Sequence, residues 1–228
     1  MIQKIVPQHI GIIMDGNRRW AGNKKLPSFK GHQEGAETLE KIVEVAGNLG
    51  VKYLTVFALS TENLRQRSKI ELKYLFSLMG LVMTSKVPKL DKAGVRLNII
   101  GDTDSLPSKL QRQLAGAQQK LSHNHKLVLT IAVNYGGRYE IVQAVRRIKT
   151  DVSKISAKDI SSHLYTDDLP EPELIIRTGG RMRISNFLIW QAAYSEYYFT
   201  DVLWPDFDKK ELVKAIIFFD KQVRNFGR

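Results

Sequence analysis

The sequence contains no cysteine, and this absence excludes several kinds of chemistry. A chain without cysteine cannot form a disulfide framework, use a thiolate nucleophile or bind a metal through thiolates. The absence is typical of a reducing compartment, so we expect a cytoplasmic protein. No apolar run approaches the roughly 20 residues that cross a bilayer. Residues 1–8 also lack the basic start and long apolar stretch of a signal peptide.

Acidic residues are scarce relative to basic ones. The chain has 23 Asp and Glu against 35 Lys and Arg, which gives a net charge of +12. This balance favours polyanionic partners, namely nucleic acid, an anionic membrane surface or phosphorylated small molecules, and charge alone does not choose among them. A length of 228 residues with 43% hydrophobic residues predicts one domain, residues 1–228, with a sizeable core.

Short apolar runs alternate with helical patterns along the chain. The predicted strands cover residues 10–14, 51–59, 95–100, 127–133, 174–177 and 197–202. The predicted helices cover residues 33–49, 70–93, 107–121, a stretch that ends near 148, and 209–223. This alternation predicts an α/β domain with a mostly parallel central sheet of about six strands, flanked by helices.

Three of the predicted strands end in residues that carry chemistry. These strand ends read Asp15-Gly16-Asn17-Arg18-Arg19, Ser60-Thr61-Glu62-Asn63 and Arg177-Thr178-Gly179-Gly180. Ligands of parallel α/β sheets bind beyond the carboxyl ends of the strands, so the convergence predicts an active site. Mg²⁺ prefers a carboxylate, and a diphosphate is bound by both the cation and guanidinium groups. Taken alone, the first motif is equally well explained as an ordinary Asp-Gly turn with solvated arginines.

Further candidate residues surround these motifs. Arg177, Arg181 and Arg183 surround a glycine pair, and Ser185 stands near the start of a predicted helix, which favours an anion site. A basic surface loop is the alternative. Glu196 could supply a second oxygen ligand to Mg²⁺, although a structural carboxylate is more common. His32 could donate to a phosphate or cap a helix.

Read together, several motifs resemble the cis-prenyltransferase family, and more narrowly the bacterial isoprenyl transferases (undecaprenyl diphosphate synthases). They are Asp15-Gly16-Asn17-x-Arg19-Trp20-Ala21, Gly31-His32, Ser60-Thr61-Glu62-Asn63, Asn134-Tyr135-Gly136-Gly137, and Arg177-Thr178-Gly179-Gly180 through Trp204-Pro205-Asp206-Phe207. The resemblance extends from about His9 to Gly227. It implies a homodimeric enzyme with a hydrophobic tunnel. Such an enzyme condenses isopentenyl diphosphate onto an allylic diphosphate, here expected to be farnesyl diphosphate.

The resemblance also implies roles for individual residues. Asp15 is expected to bind Mg²⁺ and to assist departure of the allylic diphosphate, and Glu196 from the dimer partner to complete the metal site. Asn63, with Ser60 and Glu62, is expected where the proton leaves. The allylic diphosphate is assigned to Gly16, Asn17, Arg18, Arg19 and His32, and isopentenyl diphosphate to Arg177, Arg183 and Ser185. The remaining expected substrate-binding residues are Trp20, Ser28, Thr61, Leu64, Arg67 and Ile184.

The sequence departs from the usual family pattern at four places. Ser28 stands where an arginine is common, and Leu64 replaces a usual tryptophan. The stretch after Asn63 is one residue longer than the common form, so Arg67 is expected to take the arginine position. Asn225 replaces the arginine of a C-terminal Arg-x-Gly and leaves Arg224 one position early.

The expected product is undecaprenyl diphosphate, the lipid-carrier precursor of cell-wall synthesis, with a shorter cis-prenyl diphosphate left open. The product would pass to the membrane, and peripheral association at its inner face is left open too. The apolar start of the 70–93 helix and five strand residues, Val56, Ala58, Leu129, Ile131 and Val133, are candidates for the tunnel wall; an ordinary core is the alternative.

A nucleic-acid-binding domain and a silent partner subunit are the remaining alternatives for the function of the chain. No nucleic acid partner is expected because most aromatic residues lie in apolar runs, and a silent subunit tends to lose the acid that Asp15 retains.

Overall fold

Six parallel strands form the centre of the computed structural model, which describes residues 5–222 (for residue 152, the backbone alone). The strands are β1 (His9–Ile13), β2 (Tyr53–Ser60), β3 (Val95–Ile100), β4 (Leu127–Tyr135), β5 (Leu174–Arg177) and β6 (Glu196–Phe199). Their order across the sheet is β3-β4-β2-β1-β5-β6, and each neighbouring pair is parallel. The predicted α/β architecture is therefore confirmed.

Helices flank this sheet. They are α1 (Asn17–Asn23), α2 (Ser28–Leu49), α3 (Thr61–Gln66), α4 (Lys69–Ser85), α5 (Val87–Lys92), α6 (Ser108–Leu121), α7 (Gly137–Arg147), α8 (Ala157–Ser161) and α9 (Lys209–Asp220). Short 3₁₀ turns occupy Val152–Lys154 and Trp204–Asp206. Within residues 5–222, no helix combines the length and the apolar character needed to cross a bilayer.

The structure corrects two of the predicted helices. The stretch predicted as one helix over 70–93 is divided into α4 and α5 at Lys86. Pro88 explains the division, because a proline has no N–H to donate and its ring clashes with the carbonyl four residues earlier. The helix predicted around Ser185 is replaced by turns, since Ser185, Asn186 and Leu188 have φ values of 49°, 66° and 44°.

Side chains pack on both faces of the sheet, in one large cluster and one small cluster. Ile10 and Ile12 belong to the large cluster with apolar residues of α2, α6 and α9. Ile13 belongs to the small cluster with Phe187 and Leu188. Alternate residues of β1 thus face opposite layers, as the pleat of a strand requires.

The register of the parallel pairs positions the site. Ile13 at the end of β1 is paired with Phe57 of β2 on one side and with Arg177 of β5 on the other. Because β2, β1 and β5 are neighbours and run in the same direction, the residues that follow them meet at one edge of the sheet.

The described residues do not show a tunnel. The side chains of Val56, Leu129, Ile131 and Val133 are buried within the large cluster. Their role in the wall of a tunnel stays a prediction. Ala58 differs from them, because it lies on the cavity described below.

Candidate active site

A polar cavity of about 610 Å³ lies beyond the carboxyl ends of β1, β2 and β5. Each of the three chemically distinctive strand ends contributes to its lining, and α2 adds His32. The lining residues are Ile13, Met14, Asp15, Gly16, Asn17, Arg18, Arg19, His32, Phe57, Ala58, Ser60, Glu62, Asn63, Arg67, Arg177, Arg183, Ser185 and Asn186. Most of them are polar or charged, so the cavity suits an anionic ligand better than an apolar one.

Two glycines let the chain turn sharply after β1. Gly16 has a φ of 117°, a conformation that favours glycine, and it directs the chain into α1. Gly31 of α2 lies against the backbone of Asn17, where a Cβ would stand only 1.9 Å from the Asn17 carbonyl oxygen. This contact brings the first turn of α1 and the start of α2 together at the cavity.

The carboxylate of Asp15 is held between two guanidinium groups. Its Oδ2 accepts a hydrogen bond of 2.9 Å from Nη2 of Arg177, and its Oδ1 is 3.2 Å from Nη2 of Arg19. The side chain of Asp15 remains 29% exposed. The acid is therefore paired with a positive charge at each of its two oxygens and remains open to the cavity.

Arg177 organises the loop that follows β5. Its side chain is 5% exposed, and its Nη1 donates to the carbonyl oxygen of Arg183 and to Oγ of Ser185, the latter at 2.7 Å. Thr178 donates from Oγ1 to the carbonyl oxygen of Asp15 at 2.7 Å. These bonds fold the 183–185 segment back onto the end of β1. Arg183 itself is exposed, and within residues 5–222 its guanidinium forms no ion pair.

A second basic cluster lies across the cavity. Nη1 of Arg67 lies 3.4 Å from Nε2 of His32 and donates to Oε1 of Glu71 at 2.9 Å. Burial, followed by the nearby charge of Arg67, lowers the pKa of His32 to about 4. His32 is therefore a neutral imidazole at neutral pH, with one N–H to donate. The exposed Arg18 adds a further positive charge beside this cluster.

The start of α3 places Asn63 and Glu62 at the same cavity. Oγ of Ser60 accepts a hydrogen bond of 3.0 Å from the backbone N–H of Asn63, so Ser60 caps the helix. Oε1 of Glu62 accepts from Nδ2 of Asn186 at 2.8 Å. Burial alone would raise the pKa of Glu62, but hydrogen bonds from its own backbone and from Asn186 lower it below the ordinary value.

Comparisons with known proteins agree with this geometry. A family model described as "Putative undecaprenyl diphosphate synthase" matches residues 13–227. The (2E,6E)-farnesyl-diphosphate-specific ditrans,polycis-undecaprenyl-diphosphate synthase of Micrococcus luteus is 44% identical over an alignment of 229 positions, gaps included, that covers 97% of this chain and 92% of that protein. An isoprenyl transferase of Fusobacterium nucleatum is 47% identical over 227 residues, which cover 99% of this chain and 98% of that protein.

This chain belongs to the undecaprenyl diphosphate synthase family of prenyltransferases. Solved structures agree: lavandulyl diphosphate synthase of Lavandula x intermedia, in complex with dimethylallyl diphosphate, has a TM-score of 0.94 at 34% identity, over 99% of this chain and 100% of that one. A "probable undecaprenyl diphosphate synthase" of Campylobacter jejuni has a TM-score of 0.81 at 31% identity, with the same coverage. The resemblance inferred from the motifs is confirmed.

Most of the residues expected from this prenyltransferase family line the one cavity. Six of the expected catalytic, substrate-binding and metal-binding residues do not line it: Trp20, Ser28, Thr61, Leu64, Ile184 and Glu196. Trp20 is buried, and its Nε1 donates to Oδ1 of Asp206 at 2.7 Å, which anchors α1. Ser28 is exposed at the start of α2, so no described contact replaces the arginine that is common there. Asn225 and Arg224 lie outside the described residues.

Asn186 is a cavity residue that the sequence did not identify. Besides its bond to Glu62, its Oδ1 accepts from the backbone N–H of Arg138 at 2.9 Å, and its carbonyl accepts from the N–H of Gly137 at 2.8 Å. It therefore connects α3 to the first turn of α7. The Ser185-Asn186 pair, both polar and followed by apolar residues, was the available signal, but the helix predicted there concealed the turn.

Glu196 is distant from Asp15 within one chain. It is the first residue of β6 and is paired with Leu174, whereas Phe199 is paired with Arg177 at the site end. Three residues of strand separate Glu196 from that end, which is roughly 10 Å. Its assignment to a partner's metal site stays a prediction.

Asp15 is a cavity residue that fits a divalent cation. Within residues 5–222, no cluster of three or more His, Asp or Glu side chains is arranged to hold a metal ion. Mg²⁺ nevertheless needs only one or two carboxylates when phosphate oxygens and water fill the other positions. The partly exposed carboxylate of Asp15 meets this requirement, because Arg18 and Arg183 line the same cavity and can hold phosphates.

Proposed function

We propose that this prenyltransferase extends farnesyl diphosphate with isopentenyl diphosphate units to give undecaprenyl diphosphate. The observation that carries the proposal is the cavity at the sheet edge, where one carboxylate stands between two separate groups of cationic side chains. Two groups suit a reaction with two diphosphate substrates. The relative from Micrococcus luteus, which is specific for (2E,6E)-farnesyl diphosphate, supports the choice of primer.

Each group of cationic side chains binds one of the two substrates. The first turn of α1, with Gly16, Asn17, Arg18 and Arg19, receives the allylic diphosphate together with His32 and Arg67. The loop after β5 receives isopentenyl diphosphate through Arg183, Ser185 and Arg177. The exposed guanidinium of Arg183, which forms no ion pair within residues 5–222, supports this division, and so does the separation of the two groups on different strand ends.

The reaction forms one carbon–carbon bond and releases two groups. C4 of isopentenyl diphosphate attacks C1 of the allylic substrate, the C1–O bond breaks, and diphosphate leaves with its electron pair. A proton is then lost from C2 of the isopentenyl unit to form the new cis double bond. Asn63 is an amide and cannot be a strong base, so it positions the group that loses the proton. Because the pKa of Glu62 is lowered, a diphosphate oxygen is the better acceptor.

Mg²⁺ is the cofactor that we propose, with Asp15 as its protein ligand in the chain. When bound, the ion would neutralise negative charge on the departing diphosphate. Arg19 and Arg177 hold the Asp15 carboxylate in place beside that charge. We also propose a homodimer in which Glu196 of a second copy reaches this site.

We propose that the product chain grows inside the protein and is then passed to the membrane. A prenyl chain that grows from this cavity needs an apolar wall, and we retain Val56, Ala58, Leu129, Ile131 and Val133 as its candidates. We place the enzyme in the cytoplasm and expect it to pass its lipid product to the inner face of the membrane. A shorter-chain synthase is the second candidate, because four of the five wall candidates are packed in the core.

One incubation tests the proposal. The protein is supplied with Mg²⁺, radiolabelled isopentenyl diphosphate and either farnesyl or dimethylallyl diphosphate, and the product chains are sized after dephosphorylation. We expect a long cis-prenyl product with farnesyl diphosphate as the better primer. A product that stops after one or two additions would favour the shorter-chain synthase. No condensation with either primer would contradict the enzymatic proposal and favour a silent subunit.

A further inference from the structure

Helix α4 is far more apolar than its burial explains. Between Ile70 and Met83 it carries nine large apolar residues, yet Gly80 and Met83 are the residues of this helix that are buried. Ile70 is 85% exposed and Leu81 is 62% exposed. Positions 70, 73, 77 and 81 recur at helical spacing, so these two side chains share one outward stripe.

A groove between α4 and α6 continues this stripe. Its volume is about 610 Å³, and its apolar lining includes Leu72, Phe76 and Leu110. Three lysines, Lys69, Lys73 and Lys109, contribute to its lining, and none of its eleven lining residues is acidic. The nearest carboxylate along α4 is Glu71, which is bound to Arg67 at 2.9 Å.

The loop between α1 and α2 extends the same surface on its other side. The rings of Phe29 and Tyr74 lie 5.3 Å apart, and the Tyr74 hydroxyl donates to the Phe29 carbonyl oxygen at 3.4 Å. Phe29 and Leu26 are themselves exposed. Exposed lysines stand beside them, namely Lys24, Lys25 and Lys30. We call the surface formed by residues 24–30, the outward stripe of α4 and the α4–α6 groove the basic apolar face.

We propose that the basic apolar face docks onto an anionic lipid bilayer. Exposed Leu, Ile and Phe side chains surrounded by lysines are the composition that binds in the interfacial plane of a membrane. A second copy of the chain is a poor occupant, because a two-fold contact would oppose the lysines to one another. This inference rests on the proposed function, because an enzyme that makes a lipid must deliver its product to a membrane.

The position of this face relative to the cavity supports the assignment. Arg67 lines the cavity, and α4 begins two residues later at Lys69. The ion pair between Arg67 and Glu71 connects the cavity wall to the first turn of α4. A bilayer held against the face would lie next to the site at which the product is made.

Labelled single-cysteine variants test the docking directly, because the natural chain has no cysteine to label. Ile70→Cys and Leu81→Cys would carry an environment-sensitive nitrobenzoxadiazole probe, and Lys41→Cys on the exposed side of α2 is the control. With vesicles of phosphatidylglycerol and phosphatidylcholine, we expect the probes at 70 and 81 to shift to shorter wavelength and brighten. The probe at 41 should not respond.

Co-sedimentation with the same vesicles tests the lysines. The triple variant Lys69→Gln, Lys73→Gln, Lys109→Gln should partition on the order of 100-fold more weakly, since each of the three lysines contributes about 1 kcal/mol near an anionic surface and 1.4 kcal/mol is tenfold. Its matched control removes the same charge elsewhere, through Lys41→Gln, Lys52→Gln and Lys149→Gln, and should retain most of the binding. Thermal melts establish that both triple variants are folded.

Three outcomes would overturn the proposal. They are equal responses of the probes at 70 and 41, equal partitioning of the two triple variants, and a response at 70 that appears without vesicles and grows with protein concentration. The last outcome would identify self-association instead. None of these measurements uses the condensation reaction. Vesicle binding without turnover would therefore contradict the proposed function and leave the membrane-docking proposal standing, and turnover without vesicle binding would do the reverse.

Discussion

Arg177 joins three parts of the site through one buried guanidinium group. It donates to Asp15, to the Arg183 carbonyl and to Ser185, so it both holds the carboxylate and shapes the loop. Arg183 and Arg19 differ from it because both are exposed and can turn toward a ligand. At the scale of the residue, Arg177 therefore has a positioning role in addition to the binding role that we propose for it.

Asp15→Asn tests the carboxylate without removing an acceptor for Arg177. We expect turnover to fall on the order of 10²-fold or more, because a neutral amide no longer places a cation beside the developing charge. The melting temperature should change little, since the side chain is 29% exposed and its shape is kept. Steady-state rates at saturating Mg²⁺ measure the effect, and a rate within about twofold of the parent would remove Asp15 from catalysis.

Arg183→Ala and Arg19→Ala should lower the affinities for different diphosphate substrates. We expect Arg183→Ala to weaken isopentenyl diphosphate more than farnesyl diphosphate, and Arg19→Ala to do the reverse, because the two residues follow different strands. Each lost charged hydrogen bond should cost about 1.5–3 kcal/mol in affinity for its own ligand. Separate binding titrations decide the matter, and equal losses for both ligands would show one undivided site. Arg177→Ala should also lower stability, because its three bonds are structural.

At the scale of the element, α3 depends on contacts outside itself. It has six residues, none of them buried, and Ser60 supplies its cap. Helices this short are marginal without tertiary support. Asn186 provides such support, since it bonds Glu62 on one side and the first turn of α7 on the other. We expect the position of Asn63 in the cavity to depend on this connection.

Asn186→Asp tests whether Asn186 positions α3. Aspartate keeps the acceptor for Arg138 and tolerates a φ of 66°, but it loses the donor to Glu62 and places two carboxylates together. We expect kcat to fall about tenfold or more while KM for both substrates changes little. We also expect partial recovery at lower pH, where one of the two acids is protonated. Steady-state kinetics across pH measure this; a change in KM alone, or a pH-independent loss, would indicate a purely structural turn.

At the scale of the whole molecule, His9 joins the sheet to the segment before β5. Its Nδ1 lies 2.6 Å from the carbonyl oxygen of Pro170, and its Nε2 lies 2.8 Å from Oγ1 of Thr55. A carbonyl can only accept, so Nδ1 carries the proton and Nε2 accepts from the Thr55 hydroxyl. Burial lowers the pKa of His9 to about 4, against an ordinary 6.5. His9 is therefore a neutral structural imidazole.

Acid should destabilise the fold through this group. The pKa of His9 is lower in the folded state, so its contribution is complete above about pH 6.5 and is lost as the pH falls toward 4. A shift of this size corresponds to about 3 kcal/mol of unfolding free energy. Denaturant titrations from pH 7 to pH 4.5 should therefore show a smaller pH dependence for His9→Gln than for the parent.

His32→Gln is the second variant for this measurement. The pKa of His32 is lowered to about the same value, so each single variant should remove about half of the histidine-dependent loss, and the double variant most of it. An unchanged pH dependence in His9→Gln would mean that His9 does not resist protonation in the folded protein.

The interior of the molecule determines where a growing chain can go. Ala58→Leu should shorten the product while the first condensation is retained, because Ala58 lies on the cavity. Val56→Leu adds less bulk two residues earlier, inside the large cluster. If Val56 is ordinary core, that variant should lose about 1–3 kcal/mol of stability with no change in product length. Product sizing beside thermal melts measures both, and an unchanged length in Ala58→Leu would exclude Ala58 from the path of the chain.

The sequence alone determined the sheet and the three strand ends that meet at the site. Apolar runs such as Ile10–Ile13 and Leu174–Ile176 are local signals, and turn residues directly follow them. Parallel strands then bring their carboxyl ends to one edge, so the sequence alone predicts that Asp15, Ser60 and Arg177 lie together. The ordered motifs around them were enough to identify the family.

The tertiary structure decided what local patterns do not encode. The turns at Ser185 and Asn186 need positive φ values that the bonds to Arg177, Glu62 and Arg138 stabilise, so an isolated segment would favour the helix that we predicted. The register of β6 decided that Glu196 stands at the far end of the strand from Asp15. Packing decided that Val56 lies in the core and Ala58 on the cavity, because both are small apolar residues and only their neighbours distinguish them.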